Sequence, residues 1–390
     1  MKTVYLLSNV ADGGKTYLEY LIPALNSLRE KYNCVVLNTD RTGSSREEVE
    51  AILDYPVRQV GNDFIASLKS QVVISNDAYA GRLLDHSNFG IFISHGNVGM
   101  PTKDKYYYAE LTSYWDAIIS SSRSGFDLMT AGLQAYRRDR KALKTMLIDG
   151  LALRSDMRIT SPVATLPVKI PGIFESSPPA KKTSDDYVVG LLPTQVGICP
   201  NGATLYENLQ TVINAVKSQI PHATFILRPY MAELSHPTVK DLCEQLSAHD
   251  WITIDKAGTS STVFYAQCDT VITDASTGGV SFMLNTCKLP IYYVPFTEES
   301  NLTVDAWLKQ MDNLLPIARS SNELRDMALG FSLLKPEDSY YIYNKFYQAQ
   351  YSDLPLPQEV FHDLIEYRHE SKYCPLSIDS FGDINERDKQ

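Results

Sequence analysis

Apolar residues in this 390-residue chain come in short continuous runs separated by stretches of helical spacing. Lys2–Ser8 is an apolar run that predicts a first strand. Tyr17–Tyr32 repeats Leu18, Leu21, Leu25 and Leu28 at three and four residues, which predicts an amphipathic helix. Pro23 lies inside it and predicts a late start or a kink. Cys34–Leu37 reads as a strand, Arg46–Leu53 as a helix, and Gln71–Ser75 and Gly90–Ser94 as continuous apolar strands, each followed by a polar break. Runs of this kind are parallel strands buried on both faces, with helices covering the sheet.

The texture changes at residues 159–187, where five prolines with Ser and Lys remove any periodicity. The pattern then starts again. Strands are expected at Val188–Leu192, Ala223–Arg228, Trp251–Ile254, Thr270–Thr273 and Pro290–Val294. Helices are expected at Leu205–Gln219, Lys240–Ala248 and Val263–Gln267, and from Gly279–Leu284 onward. Aromatic-bearing helices follow at Ser339–Gln350 and Gln358–Arg368. The expected organisation is an α/β chain with a Rossmann-like lobe over 1–165, a linker over 166–187 and a second Rossmann-like lobe over 188–335. C-terminal helices over 336–374 and a loose tail over 375–390 complete it. Two such lobes place ligands at the carboxyl ends of their strands, in a cleft between them. The polar tail suits a linker to a further domain of a larger enzyme.

Composition narrows the function. The formal charge is −10, from 36 basic and 46 acidic residues, which argues against nucleic acid as the main ligand. The basic stretch Arg137-Arg138-Asp139-Arg140-Lys141 reads as a solvated helix face or as a patch for an anionic acceptor or lipid head group. No apolar run reaches membrane-spanning length. The start reaches Asp12 too soon for a signal peptide. The six cysteines are scattered with no C-x-x-C pair, so reduced thiols in a cytoplasmic protein are expected. With no H-E-x-x-H or H-x-x-E-H pattern and no Cys/His cluster, neither a metal site nor a cofactor is expected.

Four stretches can carry chemistry. ADGGKTY (11–17) ends like a phosphate-binding P-loop, but that loop needs glycine where this chain has Asn9, so its nest of N–H groups is incomplete. Gly13, Gly14 and Lys15 still follow a first strand and are candidates for acceptor contact, as is a plain tight turn. FISHGN (92–97) puts His95 at a strand end, beside Asn97. A lone histidine is commonly packed or on the surface. At a strand end facing a cleft, its imidazole can take a proton from an acceptor hydroxyl. In ILRPYMAELSHP (226–237), Arg228 ends an apolar run and can fork onto a phosphate or carboxylate, or it serves a structural ion pair. Tyr230, Glu233 and His236 share that loop. Ala232 stands where a carboxylate could act as nucleophile or base, so that role falls to Glu233 or is missing. In VITDASTGGVSFML (271–284), Thr273 and Asp274 end a strand. Ser276, Thr277 and Gly278 then open a helix that includes Ser281. Unpaired first-turn N–H groups, hydroxyls and bare glycine backbone make a cradle for an anion. A simple N-cap by Ser276 or Thr277 is the plainer reading.

The second half resembles the CDP-glycerol glycerophosphotransferase-like proteins and related GT-B transferases of bacterial surface polysaccharides. LLPTQVG (191–197), ILRPY (226–230), YAQCDTVITDASTGGVSF (265–282) and LPIYYVP (289–295) come in that family's order, and SHGN (94–97) is similar to its His-Gly strand end. Tyr230 replaces a histidine of the family pattern. The resemblance covers 188–295 well and the first half thinly. It implies a GT-B fold, a nucleotide-activated donor and no metal. It carries His95 over as base, and Arg228 and the 276–278 turn as ligands of the donor phosphates, with Thr194 in the matching Pro-Thr strand end. Bacterial Kdo transferases share the architecture and use a CMP-activated sugar whose carboxylate suits an arginine such as Arg228. The expected function is therefore glycosyl transfer, with Kdo from CMP-Kdo as the lead donor and a lipopolysaccharide or capsule glycan as acceptor. The partners are a nucleotide sugar, most readily of cytidine, and a glycan or lipid-linked glycan. The expected place is the cytoplasm, with peripheral association at the inner face of the membrane. Polyol-phosphate transfer, a sugar-nucleotide epimerase or hydrolase, and a non-catalytic nucleotide-sugar-binding module remain open.

Overall fold

The structure is a computed structural model. It describes residues 2–10, 17–18, 20–94, 114–127, 129–130, 161–164, 187–196, 204–230, 233–255, 261–295 and 302–366. These fall into two compact units.

The first unit contains β1 (Thr3–Ser8), α1 (Leu21–Leu28), β2 (Asn33–Thr39), α2 (Arg46–Leu53), β3 (Val57–Val60), α3 (Asn62–Ser67), β4 (Val72–Ser75), β5 (Phe89–Ile93), β6 (Ala117–Ser120) and β7 (Ser161–Ala164). They form a seven-stranded parallel sheet in the order β3-β2-β1-β4-β5-β6-β7. Side chains alternate across a strand. In β1, Val4 and Leu6 join one buried cluster, while Leu7 joins Val73, Phe92 and Trp115 on the opposite face. Pro23 is tolerated because it lies in the first turn of α1, where no intrahelical N–H bond is lost. The proline-rich stretch begins as structure rather than as connection. Ser161–Ala164 is an edge strand, and an edge is where a sheet accepts a proline. Periodicity also missed β3 and β6, each four residues long.

The second unit contains β8 (Val188–Leu192), α4 (Leu205–Gln219), β9 (Thr224–Leu227), α5 (Pro237–Leu246), β10 (Ile252–Ile254), α6 (Ser261–Gln267), β11 (Thr270–Thr273), α7 (Gly278–Thr286), β12 (Ile291–Tyr293), α8 (Leu302–Met311), β13 (Ile317–Ala318), α9 (Ser321–Ser332) and α10 (Pro336–Tyr351). Its six parallel strands run β10-β9-β8-β11-β12-β13. From β8 the chain steps outward to β10, then returns to the other side of β8 as β11. Loops after β8 and β11 therefore leave in opposite directions, which opens a crevice at their carboxyl ends.

The last helix, α11 (Pro357–Glu366), belongs to the first unit. Val360, Phe361, Leu364 and Ile365 are buried with Leu21 and Leu25 of α1. Glu366 accepts from the Tyr32 hydroxyl at 2.6 Å and from Lys2 at 2.8 Å. Residues near the C-terminus thus complete a core begun at the N-terminus. Phe361→Ala is expected to destabilise the first unit by about 3–5 kcal/mol and leave the second unchanged. Urea denaturation followed by hydrogen exchange in each unit reads this out. Equal loss in both units would contradict the assignment.

Candidate functional site

The crevice of the second sheet is built around the end of β11. Thr273 pairs in register with Leu192 of β8, and its hydroxyl donates to the Leu192 carbonyl at 2.7 Å. The same hydroxyl lies 2.8 Å from Ser276 Oγ, which accepts from the N–H of Gly278 at 3.2 Å. Ser276 is therefore a buried brace that closes the first turn of α7. Thr277 occupies the cap position with no side-chain cap bond, and Thr277 and Gly278 are half-exposed. Ser281 donates back to the Thr277 carbonyl at 3.1 Å.

Asp274 is 0% exposed. Its Oδ2 accepts from the N–H of Thr194 at 3.0 Å and of Leu205 at 2.9 Å. One carboxylate thus joins β11, the loop after β8 and the start of α4. Oδ1 is buried with no hydrogen-bond partner. Burial pushes the Asp274 carboxyl up to about 7, against the pull of those two N–H groups, of its own N–H and of the Ser276 side chain. A negative charge at a helix N-terminus is favoured, but desolvation outweighs that gain here.

The start of α7 rests on Tyr292 of β12. The Tyr292 hydroxyl donates to the Ser276 carbonyl at 3.2 Å, and its ring lies where a Cβ on Gly279 would come within 2.7–2.9 Å. Packing therefore demands Gly279. Gly278 differs: an added Cβ would meet Leu192 only at 3.5 Å, an ordinary contact. Sequence reasoning missed Tyr292, and the apolar strand LPIYYVP gave no sign that this ring seats the turn.

One strand further, Arg228 pairs through Nη1 with Asp255 at 3.0 Å and lies 5.3 Å from the Phe264 ring. Tyr230 donates its N–H to Tyr206 Oη at 3.1 Å. Glu233 Oε2 accepts from the N–H of Val196 at 3.0 Å, and the Glu233 carbonyl accepts from the N–H of His236, which starts α5. The structure thus brings Thr194, Thr273, Asp274, Ser276, Thr277, Gly278 and Ser281 together at the ends of β8 and β11 and the start of α7. It sets Arg228, Tyr230, Glu233 and His236 beside them at the end of β9. Gly13, Gly14, Lys15, His95, Asn97 and Ala232 lie outside the described residues. Among the described residues, no group of His, Cys, Asp and Glu could hold a metal ion.

No family model matches this chain, and neither does any curated protein. Solved structures do. A putative UDP-N-acetylglucosamine 2-epimerase from Listeria monocytogenes is similar at 13% identity and a TM-score of 0.56, over 95% of this chain and 96% of its own. MnaA of S. aureus, in a UDP co-structure, is similar at 13% identity and 0.55, over 94% and 97%. The wall teichoic acid polymerase TagF is similar at 11% identity and 0.54, over 94% and 89%. The likeness is one of fold. The chain has the GT-B fold of two Rossmann-like α/β units, as expected from the sequence.

Two variants test the site as a structure. Gly279→Ala is expected to lower stability by roughly 1–3 kcal/mol, and Gly278→Ala to leave it unchanged or raise it by up to about 1 kcal/mol, in thermal unfolding. Asp274 gives a pH signature. Its raised folded value makes the native state hold a proton that the unfolded chain gives up, so the stability contributed is full below about 3.8 and is lost as pH rises through about 7. Asp274→Asn removes that titration. The melting temperature of wild type should fall relative to Asp274→Asn across this window and run parallel to it above. Parallel profiles throughout would contradict a buried, titrating Asp274.

Proposed function

We propose that this chain is a glycosyltransferase that moves a sugar from a nucleotide-activated donor to a glycan acceptor, with the donor phosphates on the first turn of α7. Gly278 supports the reading. It is half-exposed at a helix N-terminus, has room for a side chain and needs no left-handed backbone, so nothing in its packing calls for glycine. A phosphate lying on bare backbone does call for it. The first-turn N–H groups and the Thr277 hydroxyl would stabilise charge as it builds on the leaving phosphate. His95 is the proposed base, and Arg228 the proposed guanidinium on the donor side.

For the donor, CMP-Kdo follows from a sugar carboxylate placed at Arg228, whose Nη1 also pairs with Asp255. UDP-sugars are the first competitor, since the S. aureus MnaA structure holds UDP. A second reading, transfer of glycerol or ribitol phosphate from a CDP-polyol, is favoured by the ordered motifs of 188–295. We place the reaction in the cytoplasm at the inner face of the membrane, on a lipopolysaccharide, capsule or lipid-linked glycan. No helix among the described residues is long and apolar enough to cross a membrane.

Donor screening tests the proposal. The chain is incubated with CMP-Kdo, CDP-glycerol and UDP-sugars, with and without glycan acceptors, and the released nucleotide is identified. Release that depends on acceptor supports transfer. Conversion of a UDP-sugar without acceptor supports an epimerase or hydrolase, and binding without turnover supports a nucleotide-sugar-binding module. Activity is expected to survive EDTA, and loss of activity that added metal restores would contradict the metal-free reading. Gly278→Ala is expected to weaken donor nucleotide binding at least about tenfold, the equivalent of one charge-assisted hydrogen bond. Unchanged affinity in calorimetry would remove α7 as the phosphate site.

A further inference from the structure

The first sheet reverses strand order between β1 and β4, as the second does between β8 and β11. The two places are braced alike. Ser75 donates its hydroxyl to the carbonyl of its register partner Leu7 at 2.8 Å, just as Thr273 does to Leu192 at 2.7 Å. Beyond the brace they differ. In the first sheet, three neighbouring strand ends meet in a chain of buried polar groups. Thr39 Oγ1 donates to Asn9 Oδ1 at 2.7 Å, and Asn9 Nδ2 donates to Asp77 Oδ2 at 2.5 Å. Arg41 Nη1 pairs with that same oxygen at 3.2 Å. Asp77 Oδ1 accepts from the N–H of Tyr79 at 3.1 Å.

Burying Asn, Asp and Thr side chains is costly unless each is hydrogen-bonded, and here each is. The chain of bonds ends on one group that reaches solvent: the Arg41 side chain is 40% exposed, against 6% for Asp77. Arg41 also lies over the Tyr79 ring at 5.2 Å, so ring and carboxylate together hold its fork. Arg82 approaches the same ring at 5.5 Å and the Tyr114 ring at 5.4 Å. The adjacent acid, Asp40, is turned to Gln59, whose amide it accepts at 2.7 Å. Two guanidiniums and one carboxylate thus surround Tyr79 at the carboxyl end of a parallel sheet, where its crevice opens. A guanidinium carries five N–H donors, and one contact to Asp77 leaves the fork able to take a second oxyanion.

We propose that the carboxyl end of the first sheet, between β1 and β4, is an anion-binding subsite in which Arg41 takes the phosphate or carboxylate of a charged acceptor sugar. Thr39, Asn9 and Asp77 position Arg41. The proposal rests on the transferase reading only in naming the ligand as acceptor.

Calorimetry on the full chain tests it with three probes: glucose 1-phosphate, methyl glucuronide and neutral methyl glucoside. Wild type is expected to bind at least one anionic probe about tenfold or more tighter than the neutral one. Which anion wins separates a phosphorylated acceptor from a carboxylated one. Arg41→Gln keeps a donor for Asp77 and should erase the preference. Arg41→Lys keeps the charge without the fork and should retain part of it, and it is the variant to read if Arg41→Gln fails to fold. Three probes bound alike, no probe bound, or a preference that survives Arg41→Gln or stands undiminished in Arg41→Lys would overturn the proposal. UDP, CMP and CDP titrated into the same variants keep the two readings apart. Donor nucleotide should bind Arg41→Gln as it binds wild type. Anion preference without any nucleotide binding would leave the subsite standing and remove the transferase.

Discussion

A single buried carboxylate holds the second unit's crevice in shape. Asp274 follows β11 directly, yet its Oδ2 takes N–H groups from Thr194 and Leu205, on the far side of a change in strand order. A parallel sheet has no backbone bonds to offer beyond its last residues, and at a switch point the two loops depart in opposite directions. Something must tie them, or the crevice has no fixed width. Here a hydroxyl, Thr273, ties the strand ends, and the carboxylate ties the loops. Tyr292 then supports the turn from the neighbouring strand. The cost of burying Asp274 is the cost of a preorganised site, and it shows as a carboxyl pushed toward neutrality.

That arrangement explains how residues were shared between fold and chemistry. Ser276, Asp274, Glu233 and Gly279 all serve the geometry of the turn and its neighbouring loops. The groups left facing outward, Thr277 and Gly278, are few and small, as close approach of an anion to backbone requires. The first unit repeats the hydroxyl brace with Ser75 and Leu7. It then places a charged fork at the crevice where the second unit has a helix N-terminus. Two equivalent positions in one fold can thus present different chemistry through the residues just past the strand ends.

Much of the fold was legible because buried parallel strands are continuous apolar runs and their helices carry three-and-four spacing. Val188–Leu192, Leu205–Gln219 and Thr270–Thr273 were readable residue for residue. Val57–Val60, with exposed Arg58 and Gln59 at its centre, and the two-residue strand Ile317–Ala318 were not, since neither has enough residues to set a period. Ser161–Ala164 was hidden by Pro162, whose meaning depends on lying at an edge. The site was legible as a turn. Its division of labour was not: the sequence cannot say that Asp274 faces two amides 69 to 80 residues away, or that Arg228 faces Asp255. Nor can it say that the two adjacent glycines answer to different demands.

We propose that an anionic leaving group sits on the first turn of α7. A crystal structure of the protein with donor nucleotide tests it most directly. Phosphate oxygens are expected within hydrogen-bond distance of the backbone at Thr277 and Gly278, with the Asp274 bonds to Thr194 and Leu205 unbroken. Phosphates bound elsewhere, or a nucleotide that displaces Asp274 from those two amides, would contradict it.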